Sequence, residues 1–308
     1  MHHKTIAVFG GTGFLGRYVV KQLADAGYRV RVFSRKPLKA YHLQPLGKPG
    51  QISLEYGDIT NSDSLIGSMD NCYGVVNLVG IRFESGKRSF SAVHAQGAER
   101  VAQRASIAGV KRMVHVSALA VDRADRSSYA RSKYAGEKAV LAAMPSATIL
   151  RPSVIFGAED DFFNTFASMA RISPALPVFG TGRTEFQPVF ANDVAKAVVA
   201  SLQNEDAFGK TFELGGPDVL RFKQLLEYVL SCVGKKRCLV KIPYSIASIM
   251  GGFASFLPKP PFTRDQVTLL KYSNTVGEDA LGFADLGIVP TPMDTVVPAY
   301  LKCHTAKG

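Results

Sequence analysis

Tryptophan is absent from this 308-residue chain, and no apolar run approaches the roughly 20 residues that a membrane-spanning helix needs. The N-terminus passes directly into the first predicted strand, which leaves no room for a signal peptide. Cysteine is scarce, and its spacing fits no metal site, so we expect reduced thiols in a cytosolic protein with neither a disulfide nor a bound metal. The four cysteines are Cys72, Cys232, Cys238 and Cys303.

Acidic residues are few relative to basic ones. The chain has 25 Asp and Glu against 37 Lys and Arg, which gives a formal net charge of +12 at pH 7. Such a charge attracts nucleic acid, anionic lipid or an acidic partner. The basic residues are scattered apart from Lys235-Lys236-Arg237, and neither zinc-finger spacing nor an RNA-binding aromatic motif is present. Nucleic acid is therefore not an expected partner.

A glycine-rich turn lies close to the N-terminus. The apolar run Ile6-Ala7-Val8-Phe9 leads into Gly10-Gly11-Thr12-Gly13-Phe14-Leu15-Gly16, and an amphipathic segment from Arg17 to Ala26 follows. The first of the three spaced glycines permits a tight turn, the second lets the backbone approach phosphates, and the third brings the helix against the strand. Free N–H groups at the helix N-terminus then face an anion. This order predicts a site for the pyrophosphate of a nicotinamide dinucleotide.

The second predicted strand, Arg29 to Phe33, decides between two forms of that cofactor. An acidic residue at its end favours NAD. This chain instead reads Ser34-Arg35-Lys36 there and adds Arg17 directly after the last glycine. Arginine offers a bidentate fork to a phosphate, so the sequence predicts NADP(H) in preference to NAD(H). Solvated loop charges are the alternative interpretation of Arg35 and Lys36.

Short apolar strands alternate with helical patterns along much of the chain, which predicts an α/β fold with a Rossmann-type, doubly wound parallel sheet. We expect residues 1–155 plus about 186–208 to form the NADP(H)-binding domain, and about 156–185 plus 209–308 to form a smaller substrate or partner lobe. Ligands bind at the carboxyl ends of the strands in such sheets. Asp58 and Ile59 follow one strand, and Asn77 to Gly80 end the next. We expect Asp58 to accept a hydrogen bond from the adenine amino group and Asn77 to Gly80 to lie under the adenosine.

A second group of residues carries proton-transfer chemistry. Tyr129 and Lys133 are four apart on a predicted helix and therefore share one face. A neighbouring cation favours ionisation of a phenol, whose ordinary pKa is about 10. Ser117, at the carboxyl end of the Arg112 to Val116 strand, is placed to bond the same substrate oxygen. Chance alone produces such a tyrosine–lysine spacing, so the interpretation depends on its position after the strand.

Together these segments resemble an extended or atypical short-chain dehydrogenase/reductase over residues 4 to about 300. The glycine turn, Asp58, Ser117, the Tyr129 to Lys133 segment and Arg151 to Gly157 carry the resemblance. The stretches 129–137, 147–152 and 157–164 are most similar to an epimerase/dehydratase-like branch. That branch includes the NADPH-binding accessory subunit of mitochondrial respiratory complex I and a ubiquinone-biosynthesis relative.

The resemblance implies that Tyr129 is the acid/base, that Lys133 lowers its pKa and binds the nicotinamide ribose, and that Ser117 orients the substrate. Extended members usually carry an asparagine in a Val-Asn-Val pattern where this chain has His94, which either replaces that polar contact or is an ordinary helix residue. The motifs and the resemblance together assign cofactor binding to Gly10, Thr12, Gly13, Phe14, Leu15, Gly16, Arg17, Arg35, Lys36, Asp58, Ile59, Val79, Gly80, His94, Lys133, Pro152 and Val154.

The implied function is an NADP(H)-dependent oxidoreductase linked to quinone metabolism or respiratory complex I, with a small, apolar or quinone-like ligand. A non-catalytic NADPH-binding assembly protein is one alternative, because bound cofactor stabilises a fold without turnover. A nucleotide-sugar epimerase/dehydratase is the other. The expected location is the cytoplasm, or peripherally the inner face of the cytoplasmic membrane (the matrix side in a mitochondrion).

The almost uncharged segment Ile242 to Leu257 bears on that location. Ile246, Ile249, Met250, Phe253 and Phe256 recur in it at near-helical spacing. The segment is too short to span a bilayer, so it either packs on the core, as most apolar stripes do, or meets a membrane surface or quinone tail.

Overall fold

In the computed structural model, which describes residues 4–254 and 262–303, seven parallel strands form one sheet in the order β3-β2-β1-β4-β5-β6-β11. The strand order reverses between β1 and β4, which is where nucleotides bind in doubly wound sheets. The predicted fold class is confirmed. The strands are β1 Thr5–Phe9, β2 Arg29–Ser34, β3 Ile52–Tyr56, β4 Gly74–Asn77, β5 Arg112–Val116, β6 Thr148–Pro152 and β11 Thr211–Leu214.

Helices cover both faces of this sheet, because its central strands β1, β4 and β5 are buried on both faces. Helices α1 and α5 pack on one face, and α2 and α3 pack on the other, each over its own buried apolar cluster. Short 3₁₀ turns occupy Pro37–Leu46, Asp63–Leu65, Glu205–Ala207, Ala284–Leu286 and Met293–Thr295. The α-helices are α1 Phe14–Asp25, α2 Ala98–Ile107, α3 Ser128–Ala143, α4 Phe162–Ile172, α5 Ala191–Gln203, α6 Phe222–Val233, α7 Tyr244–Ala254, α8 Arg264–Leu269 and α9 Val297–Cys303.

A wide helical turn precedes α2. Residues Ser91–Gly97 form a π-helix, a rare conformation that is frequent at functional sites. It passes so close to α3 that a Cβ placed at Gly136 would lie 2.0 Å from the His94 carbonyl oxygen. Gly136 therefore allows the two backbones to touch, and that contact fixes His94 beside the helix that carries Tyr129.

The smaller lobe has an aromatic core. Phe156, Phe163, Phe186 and Phe222 are buried in it, and Phe162 packs against three of them. Three two-stranded ribbons join its parts. They are built from β7 Ile155–Phe156, β8 Ala175–Phe179, β9 Glu185–Phe186, β10 Val189–Phe190, β12 Leu220–Arg221 and β13 Cys238–Ile242.

One strand differs from the predicted division of the chain. Strand β11 was assigned to the smaller lobe because it lies beyond residue 208, yet it pairs with β6 at the edge of the main sheet. Its alternating buried side chains, Phe212 and Leu214, fill the core under α5. The larger domain therefore includes residues 211–214.

The apolar segment after β13 is also more exposed than core packing requires. Helix α7 buries Ala247, but Ile246, Ile249 and Met250 are 51%, 62% and 42% exposed. The side chain of Phe253 and residues Phe256 and Leu257 lie outside the described part of the chain. No helix among the described residues is long and apolar enough to cross a bilayer.

Candidate active site

The glycine turn forms a cradle that only glycine can form. Gly10 has φ +84°, and its carbonyl accepts a hydrogen bond from the Gly13 N–H at 3.1 Å. A Cβ at Gly16 would lie 2.3 Å from that same carbonyl oxygen. Helix α1 begins at Phe14, so the free N–H groups of Phe14, Leu15 and Gly16 belong to its first turn. This geometry fits a pyrophosphate at the helix N-terminus.

A cavity of about 560 Å³ opens beside the turn, within the range of ligand pockets. Nine of the predicted cofactor residues line it: Gly10, Thr12, Gly13, Arg35, Lys36, Asp58, Ile59, Val79 and Gly80. Sequence reasoning missed three further ionisable lining residues, Lys39, His42 and Arg88. Lys39 and His42 follow Lys36 in the next 3₁₀ segment, a signal that was available, whereas Arg88 comes from a distant loop.

Asp58 is the carboxylate of this cavity. Its Oδ1 accepts hydrogen bonds from the Thr60 N–H and hydroxyl at 3.0 and 2.8 Å, and an Arg88 nitrogen lies 3.6 Å away. Burial alone would raise the pKa of Asp58, but the Thr60 bonds and the charges of Arg88 and Arg35 hold it below its usual value. Asp58 is therefore ionised and able to accept a further hydrogen bond.

Arg17 does not join Arg35 at the cavity, contrary to the expectation from the sequence. Its guanidinium lies 3.0 Å from the carboxylate of Glu159, a residue of the smaller lobe. Helix α1 turns this side chain toward the loop after β7, because the Tyr18 and Phe14 rings of the same turn pack there beside Gly157. The cavity's second arginine is Arg88.

Tyr129 lies in the first turn of α3, where rings and hydrogen bonds surround it. The rings of Phe90 and His94 approach it edge-on, at centroid distances of 5.7 and 5.2 Å. Ser132 donates its hydroxyl to the Tyr129 carbonyl at 2.7 Å. Within the described residues the phenol hydroxyl itself makes no hydrogen bond and is left for a ligand.

His94 is held by both of its ring nitrogens. Nε2 accepts the Ile81 N–H at 2.9 Å, and Nδ1 lies 2.9 Å from the Ser132 hydroxyl, which already donates to Tyr129. Burial, Lys133 and His115 lower the pKa of His94 to about 3, so the ring is neutral and Nδ1–H must be the donor to Ser132. His94 thus positions the Ile81 loop against α3, and both of its ring nitrogens are engaged within the protein. Its contact with the cofactor stays a prediction.

The expected effect of Lys133 on Tyr129 is not seen. Burial, together with the Asp265 carboxylate, raises the pKa of Tyr129 to about 12, and Arg82 opposes this only partly. Lys133 instead directs its ammonium at the Val116 carbonyl, 3.0 Å away. Burial lowers the pKa of Lys133 to about 8 against the opposing charge of Glu137.

Two buried polar groups beside Lys133 have unused hydrogen-bonding capacity. Ser117 follows Val116, the residue that Lys133 contacts, and within the described chain its hydroxyl has no partner. Asn77, expected under the adenosine, donates to Nδ1 of the buried His115 at 3.2 Å. Burial and Lys133 lower the pKa of His115 to about 3, so the remaining proton is on Nε2, another orphan in the described chain. Unpaired buried polar groups are rare in folded proteins, and a ligand beside Lys133 would give these two a partner.

Pro152 and Val154 lie at the carboxyl end of β6, next to this group. The Pro152 carbonyl accepts the Leu119 N–H, and the Val154 N–H donates to the Asn274 side chain at 3.1 Å. Neither residue lines the cavity around Asp58. In the described part of the chain no cluster of three or more His, Cys, Asp or Glu is arranged to hold a metal.

A family model described as the NAD dependent epimerase/dehydratase family matches residues 6–215. The chain belongs to that family. It is an NAD(P)-binding protein of the extended short-chain dehydrogenase/reductase type, and the orphaned Ser117 and the glycine cradle are consistent with a nicotinamide dinucleotide as its cofactor class.

Proteins from several organisms are similar to this chain. The mitochondrial "NADH dehydrogenase [ubiquinone] 1 alpha subcomplex subunit 9" of Arabidopsis thaliana is 38% identical over 295 residues, covering 92% of this chain and 73% of the relative. A ceramide reductase of Caulobacter vibrioides is 34% identical over 196 residues, covering 63% and 60%. An NADPH-dependent quinone oxidoreductase from Escherichia coli shares the fold, with a TM-score of 0.75 at 20% identity and coverage of 96% and 99%.

Proposed function

We propose that this protein is an NADP(H)-dependent reductase of a carbonyl or quinone-type substrate, with Tyr129 as the proton donor. The observation that carries the proposal is the buried Ser117 hydroxyl at the end of β5, which has no partner within the described chain. The Tyr129 phenol of α3 likewise makes no hydrogen bond to a described residue. Lys133 links the two, because it shares α3 with Tyr129 and contacts the residue before Ser117.

The residues fit a phosphorylated dinucleotide. The glycine turn would hold the pyrophosphate, and Asp58 with Arg35 and Lys36 would hold the adenosine half. Gly80 would lie against the nicotinamide half, since a Cβ there would meet Lys133 Nζ at 3.3 Å. The bound cofactor supplies the hydride. Four basic residues, Arg35, Lys36, Lys39 and Arg88, support NADP(H) over NAD(H).

The pKa of Tyr129 fits the role of a proton donor in the reduction. A phenol with a pKa of about 12 holds its proton at neutral pH. It can therefore donate that proton to an oxygen that gains negative charge, with Ser117 donating a hydrogen bond to the same oxygen.

The test is to load the purified protein with NADPH and follow nicotinamide fluorescence while a short-chain quinone and a panel of carbonyl compounds are added. We expect one acceptor to oxidise the cofactor, and Tyr129→Phe to slow that oxidation at least about 100-fold while NADPH still binds. Tyr134→Phe, on the same helix but away from the site, is the control. NADPH that binds tightly and is never oxidised would favour the non-catalytic alternative.

We also propose that the protein associates peripherally with an anionic membrane surface at the inner face of the membrane. Helix α7 exposes Ile246, Ile249 and Met250, and the adjacent β13 exposes Val240. The lysines of the segment that leads into α7 are also exposed, namely Lys235, Lys236 and Lys241. Apolar side chains flanked by lysines suit an anionic lipid surface. The similarity to complex I subunits supports the same location.

A further inference from the structure

Arg88 stands on a tight hairpin between β4 and the π-helix. The backbones of Ser85 and Arg88 exchange two hydrogen bonds, of 3.1 and 3.0 Å, around Gly86, which has φ +55°. Glu84 accepts the Phe90 N–H at 2.6 Å and fixes the end of the hairpin. The hairpin thus directs one side chain, that of Arg88, into the wall of the Asp58 cavity.

The contact between Arg88 and Asp58 is weak. At 3.6 Å it is longer than a hydrogen bond, and the Arg88 and Asp58 side chains are 25% and 20% exposed. Oδ1 of Asp58, the oxygen that Arg88 faces, already accepts two hydrogen bonds from Thr60. Asp58 therefore keeps two hydrogen bonds that do not involve Arg88, and the guanidinium retains unused donors.

Positive charge at this cavity exceeds negative charge. Arg35, Lys36, Lys39 and Arg88 line it, with Asp58 as the acidic lining residue of the described chain. Burial and the charge of Arg88 both lower the pKa of Arg35, which shows that the two guanidinium groups repel each other. An anion between them would relieve that repulsion and accept bidentate hydrogen bonds.

We propose that Arg88 is a specificity-determining residue that leaves Asp58 and, together with Arg35, holds the 2′-phosphate of the adenosine ribose. The hairpin 85–88 then closes over the adenosine, and Asp58 keeps its Thr60 bonds and accepts from the adenine. NADH has a neutral hydroxyl in place of this phosphate. Its binding therefore adds no negative charge that would draw Arg88 away from Asp58. The inference rests on the proposed NADP(H) binding.

The test is a set of dissociation constants for NADPH, NADH, 2′,5′-ADP and 5′-AMP, measured by nicotinamide fluorescence and calorimetry. We expect Arg88→Ala to raise the Kd of NADPH and of 2′,5′-ADP about 10- to 100-fold, with the Kd of NADH and 5′-AMP changed less than about threefold. Arg88→Lys keeps the charge without the fork, so its loss should be intermediate. Lys87→Ala, in the same hairpin and exposed, removes the same charge without touching the cavity and is the matched control.

The outcomes separate this inference from the proposed function. Equal losses in Arg88→Ala and Lys87→Ala would show a general effect of charge and overturn the inference. Equal losses of NADPH and NADH binding in Arg88→Ala would show that Arg88 only supports the loop, which also overturns it. A wild-type protein that binds neither dinucleotide would overturn the proposed function itself. Arg88→Gln replaces Arg88→Ala if the alanine variant does not fold.

Discussion

Lys133 is nearly inaccessible to solvent, and its surroundings are unusual for a lysine. Its ammonium has the Val116 carbonyl as a neutral acceptor, while two neutral histidines, His94 and His115, lie close enough for its charge to lower their pKa. The nearby carboxylate of Glu137 is chelated by Arg151 through bonds of 3.0 and 2.7 Å. The charged form of Lys133 is consequently less favoured than in water.

This environment predicts a pH-dependent stability. Lys133 loses its proton near pH 8 in the folded protein and near its ordinary pKa of about 10.4 in the unfolded chain. Between these values the unfolded chain binds more protons, so the free energy of unfolding contributed by Lys133 rises with pH, by about 3 kcal/mol in total. Urea unfolding between pH 7 and pH 10 checks this. In Lys133→Met the free energy of unfolding should no longer rise with pH. In Lys138→Met, a change at an exposed position of the same helix, the rise should remain. Identical pH profiles for the wild type and both variants would contradict the assignment to Lys133.

At the scale of individual side chains, some site residues could be predicted from the sequence and others could not. The nine cavity residues named above follow from strand ends and the glycine turn, because both are local patterns. The contact of Arg17 with Glu159 could not be predicted, because the two residues lie far apart along the chain. Arg88 was missed because only the hairpin around Gly86 brings it to the cavity. Burial and, after it, the Asp265 carboxylate raise the pKa of Tyr129, and no local pattern connects Asp265 to it.

At the scale of elements, helix α8 anchors the start of α3. Asp265 of α8 accepts from the Ser127 hydroxyl and the Ser128 N–H at 2.7 Å each, and from the Tyr129 N–H at 3.2 Å. A carboxylate at a helix N-terminus satisfies free N–H groups and complements the helix dipole. Helix α8 also packs on α7. The apolar face of α7 is thus connected, through one short helix, to the turn that carries Tyr129.

Asp265→Asn should therefore change both stability and acidity. We expect the free energy of unfolding to fall by about 1–2 kcal/mol, since charge-assisted bonds to α3 are lost. The pKa of Tyr129 should fall as well, because a negative charge that disfavours the phenolate is gone. Urea unfolding and NMR titration of labelled tyrosine measure the two effects. Asp25→Asn, which removes a surface pair with Lys21, should cost less than about 1 kcal/mol; an equal loss in both variants would rule out the anchoring role.

At the scale of the whole molecule, the doubly wound parallel sheet was predictable, because short apolar strands alternate with helical patterns along the chain. The allocation of β11 was not, because four residues of alternating burial give no sign of which strand they join. Nor was the exposure of α7. Ile246, Ile249 and Met250 have the spacing of a core stripe, and only the position of the lobe determines that they face outward.

The exposed α7 face predicts membrane binding that depends on both charge and apolar contact. We expect the protein to sediment with vesicles of phosphatidylcholine and phosphatidylglycerol, and less so at high salt, where surface charges are screened. Ile249→Glu should weaken this binding at least about 10-fold. Ile107 is exposed at the end of α2 in the larger domain, and Ile107→Glu should leave vesicle binding unchanged. Equal vesicle binding by the two variants, or no vesicle binding by the wild-type protein, would argue against the membrane contact.

Strand β11 is synthesised well after its partner β6, and this order affects folding during translation. Until residue 214 leaves the ribosome, the outer edge of β6 has unpaired N–H and C=O groups, and Arg151 lacks the Glu213 carboxylate that lies 3.5 Å from it in the finished fold. An open edge of a parallel sheet invites pairing with another nascent chain. Synthesis of the whole segment between β6 and β11 must come first, so the larger domain waits for part of the smaller lobe. Translation slowed within that segment would prolong the vulnerable stage and increase the demand for chaperones.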